Sequence, residues 1–546
     1  MLNKLFDSLS FFFSNPKKVM WLAFILGVVF SVISIVCITG YNNDAGLYIA
    51  MAHSFAIGDW SRAFLDNIPP LVPVMSGLIT MLGLPPWDSG MIVGCAFYVL
   101  TIFPLYGLLC FFMDKKYAAW GALFYLLAPK MMRLGMSPML EGARMFFYIL
   151  PVYFTFSFAK DKKIYKLILL GVSLALLALV RGEGIISMPF ILLALFLLCI
   201  KKNKYKTTLL SLLLPIAYCL FAFLVMLAVL SPRLYQNYIK TGYPTLDNRQ
   251  AECIQKYYDK IFNRSNMENS KAKKVEIPKL KAENQISDNE SQEVKIGTAS
   301  YYGKFFKNIF RGTYELYTIL CVIGMVILAL RKEWKLEHSL LILFGVINAI
   351  LFALTGSIQY RYYLVNIMLI MPFILTAYLY LFEQAGKFRV QKILVLAVLI
   401  VSIAQIINGM DNSLDKSKYY TMEAGYYLKE YRSGFRKDSN GYPTVFILGT
   451  DCGTNLFTDF NVMNPGRSKF WIGKFFSPGE ALKGIESRNC LSVAVKTPSP
   501  EILKPGAILV FNPEEEPQDV AYLRNQPNIK EVKLPDIRET LLFKVN

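Results

Sequence analysis

A mainly α-helical, polytopic membrane protein is what this sequence predicts: a bundle of about 11 spans, amphipathic helices on its external side and a small α/β domain at its carboxyl end. Three observations carry the prediction. Hydrophobic residues make up 54% of the 546, and mean hydropathy is +0.39; an ordinary soluble domain is about 45–50% apolar. The excess is gathered into runs of roughly 18–22 residues, the length that crosses about 30 Å of hydrocarbon at 1.5 Å per residue. Many of the Lys and Arg residues behind the net charge of +19 flank these runs on alternate connectors, which fixes the orientation of a polytopic chain.

Residues 1–18 end in Lys17 and Lys18 and belong inside. A first span covers about 20–38, and it is long enough to cross rather than to be a cleaved signal. The stretch 39–88 lies outside. Within it, Gly40–Trp60 reads as a short amphipathic helix headed by Asp44, with Tyr48 and Ala52 at helical spacing and Gly58-Asp59-Trp60 closing it. Val74–Leu84 is apolar but too short to span, and belongs in the interface. Further spans follow near 90–113, 117–133, 145–159, 164–180, 185–200 and 207–230, then near 313–330, 338–354, 362–382 and 391–409. The connectors 114–116, 160–163, 201–206, 331–335 and 387–392 are all basic. Placing every one of them inside needs no exception and leaves the amino terminus in and the carboxyl terminus out.

The chain therefore divides into a transmembrane module, 1–409, and an external domain, 410–546. The long external loop 231–312 turns rich in Lys, Glu, Asn and Ser over 264–300. In the tail, β-rich runs occur at Thr444–Gly449, Ser492–Lys496, Ala507–Phe511 and Leu541–Val545, with helical patterns at Glu423–Tyr431 and Pro478–Ile485. Cys452 and Cys490 both fall there, on the oxidising side of this topology; whether they pair depends on geometry.

Composition narrows the function. The basic charge is explained by span flanks that meet anionic headgroups, so nucleic acid is not implied. With two His, His53 and His338, and no CxxC, a zinc site is disfavoured. There is no GxxxxGK[ST] phosphate loop and no GxSxG elbow.

The polar residues left at external span ends are the candidates for chemistry. Asp44 reads as a helix cap and as a carboxylate held rigidly at the membrane surface, where it could act as a base. Glu141, in Ser137-Pro-Met-Leu-Glu-Gly142, is either a loop residue paired with Arg144 or a second site acid. Arg181 and Glu183 close the apolar run Leu174–Val180, and Arg361 lies in Gln359-Tyr-Arg-Tyr-Tyr363 on another external turn. Each arginine is either a surface anchor or a phosphate ligand, since guanidinium matches phosphate geometry bidentately.

These residues resemble those of the polytopic GT-C glycosyltransferases, notably the branch of protein O-mannosyltransferases and aminoarabinose transferases. The resemblance covers roughly residues 20–400. Asn43-Asp44-Ala45-Gly46-Leu47-Tyr48 keeps the family's Asp and Tyr but carries Ala45 where Glu is common. Gly58-Asp59-Trp60 and Pro69-Pro70 match later motifs, with Ile68 where a Lys often stands and Arg62 as a substitute. Glu141 matches the second external acid, Leu179-Val180-Arg181-Gly182 a span end, and Arg361-Tyr362 a late Arg-Tyr.

The resemblance implies inverting transfer of a sugar from a polyprenyl-phosphate donor to a glycan, lipid or protein acceptor. It implies Asp44 as general base, Arg181, Arg361 and Arg62 at the donor phosphate, and Tyr48 lining the pocket. Glu141 and Glu183 would orient the acceptor, with Glu141 holding a divalent metal (Mg or Mn) if one is used. It also implies a multi-pass protein of a bacterial or archaeal plasma membrane with its site on the external face. The alternatives are a flippase for lipid-linked sugars, which expects inverted repeats and mid-membrane broken helices, and a non-catalytic assembly protein.

Overall fold

The computed structural model describes residues 15–37, 43–64, 68–182, 184–202, 209–246, 303–309, 315–354, 360–387, 445–448, 492–495, 508–511, 524–527, 529–532 and 541–545. The helical part runs α1 (Pro16–Cys37), α2 (Asn43–Ala56), α3 (Trp60–Ala63), α4 (Leu71–Thr80), α5 (Pro86–Leu100), α6 (Ile102–Leu109), α7 (Lys115–Leu126) and α8 (Pro129–Gly135). It continues with α9 (Glu141–Asp161), α10 (Ile164–Val180), α11 (Gly184–Lys202), α12 (Leu209–Thr241), α13 (Glu315–Leu330), α14 (Leu336–Leu354), a 3₁₀ turn (Tyr360–Tyr363) and α15 (Leu364–Lys387). Every expected span but the last falls on helix, those near 90–113 and 117–133 on two helices each; the last, near 391–409, lies outside the described residues.

Among the described residues, five stretches are long and apolar enough to cross a membrane by length and composition: Pro16–Val36, Pro86–Leu109, Gly184–Lys201, Leu212–Ile239 and Tyr360–Gln384. Their burial sorts them. α1 and α12 are mostly uncovered, and Trp21, Ile25, Val29, Val32 and Val36 project from α1 at helical spacing. An apolar side chain so exposed needs a hydrocarbon neighbour. The stretch α5–α6 and α15 are mostly covered by protein and form the centre of the bundle.

The expected span near 117–133 is two helices. Pro129 ends it, because the residue before a proline is pushed out of helical geometry; Ala128 stands at φ −71°, ψ 111°. The carbonyls freed at this break are not wasted. Tyr98 Oη donates to the carbonyls of Tyr125 and Leu126 at 3.1 and 3.0 Å, and Tyr125 Oη donates back to the Tyr98 carbonyl at 3.2 Å. Both rings are fully buried, so each hydroxyl meets the demand of burial with a backbone partner.

α4 follows the short apolar segment seen in the sequence and starts at Leu71. It lies against α2 rather than alone: a side chain on Gly77 would strike the Ala52 carbonyl and the Phe55 ring. α2 is covered on this side. Ala45, Met51 and Ala52 are buried on it, with Ile49 and Ser54, because α4 and α5 both pack on it.

Backbone approach is closest where α5 meets the turn before α9. A Cβ on Gly94 would collide with the Ser137 carbonyl, and one on Gly142 would lie 2.5 Å from the carbonyls of Gly135 and Gly94. Small residues let membrane helices come this close. The consequence is that the Ser137–Leu140 turn is seated directly on α5 and delivers Glu141 at the start of α9. At the opposite end of α9, Asp161 binds Lys166 Nζ at 2.6 Å across the turn to α10.

The described strands of the tail form one sheet in the order β2-β1-β3-β5-β4, with β1 (Val445–Leu448), β2 (Ser492–Val495), β3 (Ile508–Phe511), β4 (Ile529–Val532) and β5 (Leu541–Val545). β1 pairs in parallel with β2 and β3, and β5 pairs antiparallel with β3 and β4. Four strands fall on the β-rich runs of the sequence. β4 was not expected, because Lys530 and Glu531 interrupt its apolar pattern. The helices expected at Glu423–Tyr431 and Pro478–Ile485, and Cys452 and Cys490, lie outside the described residues.

Gly94→Val should lower stability by about 1–3 kcal/mol, the usual cost of forcing atoms into a packed contact. A fall in the thermal midpoint of the purified protein in detergent checks it. An unchanged midpoint would mean that α5 and the 137–140 turn are not in close contact.

Candidate active site

Three span ends converge on Glu141. It opens α9, its side chain is only 3% exposed, and a carboxylate at a helix amino terminus faces unpaired backbone N–H groups. α10 stops at Val180, and Arg181 is extended at φ −149°, ψ 126° before Gly184 begins the next helix. That extension carries the guanidinium toward α9: Arg181 Nη1 lies 3.9 Å from Glu141 Oε1. From the far end of the chain, the 3₁₀ turn brings Arg361 Nε to 3.9 Å from the same oxygen.

The two arginines also share a ring. Arg181 Cζ stands 4.6 Å and Arg361 Cζ 5.2 Å from the centroid of Tyr362, and Arg361 Nη2 lies 3.3 Å from the Tyr362 hydroxyl. Each such contact is worth about 0.5–2 kcal/mol, more where water is excluded. Tyr362 is buried.

Two guanidinium groups face one carboxylate oxygen where solvent access is low. Both arginine contacts are longer than a closed charge-assisted hydrogen bond, about 2.7–2.9 Å. Glu141 Oε2 is buried without a hydrogen-bond partner in the structure. Buried charge left loosely paired costs stability, and such loose pairing belongs to functional sites. What fits the arrangement is an anion with several oxygens.

The other candidates are placed as follows. Tyr48 lies on α2 and packs, partly buried, against the bundle core. The helix begins at Asn43, so Asp44 stands in its first turn rather than before it. Arg62 is in α3. The side chains of Asp44 and Arg62, and all of Glu183, lie outside the described residues. α2 reaches the site region through Ile49: a Cβ on Gly90 would meet Pro138 at 3.0 Å and Ile49 Cγ1 at 3.7 Å. Asp44 is five residues from Ile49, about 7.5 Å along the helix axis at 1.5 Å per residue.

Both guanidinium groups flank Glu141 Oε1, and no group of three His, Cys, Asp or Glu side chains that could hold a metal occurs among the described residues. His338, in the first turn of α14, is a packing residue. Its Nδ1 accepts the Lys335 N–H at 3.0 Å, and its ring lies among Phe112, Trp334 and Phe373.

Sequence reasoning missed Asn348 and Asn366, both buried, and the role of Arg144. Arg144 Nη2 donates to Asn348 Oδ1 at 3.1 Å and to the Tyr362 carbonyl at 2.9 Å. The signal was present: Asn348 and Asn366 each interrupt a long apolar helix, and polar groups there are rarely idle.

Residues 67–235 match the family model described as dolichyl-phosphate-mannose-protein mannosyltransferase. Over nearly its whole length the chain superposes on ArnT from Cupriavidus metallidurans bound to undecaprenyl phosphate, covering 96% of this chain and 97% of that one at TM-score 0.56 and 12% identity. The chain shares the fold of ArnT. The apo state of the same ArnT aligns over 95% and 97% with TM-score 0.54 and 13% identity. The Archaeoglobus fulgidus oligosaccharyltransferase AglB, in complex with an inhibitory peptide and a dolichol-phosphate, aligns over 91% of this chain and 69% of that one at TM-score 0.48 and 12% identity. A search of curated proteins found no match. The family match spans the turn that carries Glu141 and the end of α10 that carries Arg181; Arg361 lies beyond it.

Glu141→Gln should lower stability by about 1–3 kcal/mol, because two cations lose their counter-charge. Added salt should recover part of the loss through screening. Thermal denaturation at low and high ionic strength reads both effects; a loss insensitive to salt would contradict the electrostatic account.

Proposed function

We propose that this protein transfers a sugar from a polyprenyl-phosphate donor to an acceptor hydroxyl, with inversion, on the external face of a bacterial or archaeal plasma membrane. The observation that carries the proposal is the convergence of Arg181 and Arg361 on one buried carboxylate and one tyrosine ring. The family match to a mannosyltransferase that uses a dolichyl-phosphate sugar supports it, as does an ArnT relative holding undecaprenyl phosphate.

The chemistry asks for what the cluster offers. As the bond between the anomeric carbon and the phosphate oxygen breaks, its electrons leave with the phosphate, which gains negative charge. Arg181 and Arg361, with Arg62 contributing from α3, stabilise that growing charge in a site of low dielectric. The acceptor oxygen bonds to the anomeric carbon from the opposite side and gives up its proton to Asp44 acting as general base. Tyr48 lines the sugar side of the pocket.

Glu141 holds the two arginines apart and aimed, which keeps them from collapsing together before the donor arrives; it also orients the acceptor, a role shared with Glu183. Because the polyprenyl chain stays in the bilayer, a site at the span ends is where its phosphate would emerge. The external tail, 410–546, would shape acceptor choice, which spans glycan, lipid and protein.

Asp44→Asn should lower transfer from a polyprenyl-phosphate sugar by about 10²–10⁴-fold, the usual contribution of a general base, with the thermal midpoint nearly unchanged. Radiolabelled sugar transfer in detergent micelles measures the first and a melting curve the second. Full activity in the variant would remove Asp44 from the mechanism.

A further inference from the structure

The carbonyl of Tyr362 accepts hydrogen bonds from two side chains. Arg144 Nη2 donates to it at 2.9 Å and Asn348 Nδ2 at 3.3 Å. Asn348 Oδ1 accepts from Arg144 at 3.1 Å, Asn348 Nδ2 also donates to Asn366 Oδ1 at 2.9 Å, and Asn366 Nδ2 donates to the Gly345 carbonyl at 3.3 Å. Arg144, Asn348 and Asn366 are 4%, 3% and 6% exposed. They come from α9, α14 and α15: the first two reach the Tyr362 oxygen directly, and Asn366 joins them through Asn348.

That oxygen lies immediately after Arg361. Arg144 is three residues beyond Glu141, which brings both onto one face of the first turns of α9. The same helix end therefore reaches the Arg361–Tyr362 dipeptide twice: Glu141 meets the Arg361 side chain, and Arg144 grips the Tyr362 backbone. A buried arginine is expensive in a span. Simple packing between three helices would be served as well by apolar residues of the same volume. What apolar residues cannot do is fix the position of a carbonyl, and with it the neighbouring guanidinium.

We propose that Arg144 and Asn348 are positioning residues which set where the Arg361 guanidinium stands, and so the affinity of the site for a lipid phosphate. The proposal rests on the phosphate role given to Arg361 above. Arg144 and Asn348 act through Arg361 and touch no substrate. Their loss lets the 3₁₀ turn shift, and the arginine pair then loses its fixed spacing.

The test is a double-mutant cycle on the full-length protein in detergent, reading the affinity for undecaprenyl phosphate, with melting curves alongside. Asn348→Ala should weaken binding about tenfold, the range expected for losing hydrogen bonds that involve a charged group. Arg361→Gln should weaken it at least as much. The double variant should bind no more weakly than Arg361→Gln alone, since both act on one element.

Arg144→Lys should reproduce the loss, because an ammonium keeps the charge but not the planar fork that spans amide and carbonyl; it carries the same cycle if Asn348→Ala does not fold. Losses that multiply in the double variant would overturn the positioning role while leaving the phosphate role standing. Retained affinity in Arg144→Lys would overturn it as well. If Arg361→Gln leaves affinity unchanged, the phosphate role itself falls and the positioning role falls with it.

Discussion

A carboxylate with 3% of its surface exposed, held 3.9 Å from each of two guanidinium groups, is an unusual object in a helical membrane bundle. Taking three charges out of water costs several kcal/mol per ion unless close hydrogen bonds repay it, and the two contacts at 3.9 Å are longer than closed charge-assisted hydrogen bonds. The rest of the structure makes sense as the means of keeping the three groups together despite that cost. They come from span ends that are far apart in sequence, so the constraint acts on the arrangement of helices, not on one loop.

Each arm of the cluster has its own support. The turn before Glu141 rests on α5 at Gly94, where no side chain would fit. Arg181 follows from the stop of α10 at Val180 and the extended residue after it. Arg361 rides on a 3₁₀ turn whose backbone is tied to α9 and α14 through Arg144 and Asn348. Tyr362 joins the two arginines through its ring. An anion entering here meets a charge pattern already in place, which is what electrostatic preorganisation requires.

Much of this was legible in the sequence because membranes simplify the problem. Run length and flanking charge locate helices with little ambiguity, and orienting the helices by basic connectors put Glu141, Arg181 and Arg361 at the same end before any contact was known. The break at Pro129 was less legible, since apolar composition continues through it while backbone geometry does not. The close packing of α2 against α4 was missed for a similar reason: Ala45, Ala52 and Gly77 look unremarkable in a hydropathy profile, yet small size is what lets the helices touch.

Arg144 was weighed only as a helix neighbour of Glu141, three residues away. Its hydrogen bonds to α14 and the Tyr362 carbonyl depend on long-range packing that no local spacing reveals. Asn348 and Asn366 carried a readable signal, a polar side chain amid apolar ones, but nothing local said which partner each would meet.

The central claim is that Arg181 and Arg361 form the seat of a lipid phosphate. An experimental density map of the protein with undecaprenyl phosphate bound tests it most directly. The account predicts phosphate density between the two guanidinium groups, within about 4 Å of both, with Tyr362 still beneath them. Phosphate density elsewhere on the bundle, with Glu141 still flanked by both arginines, would contradict it.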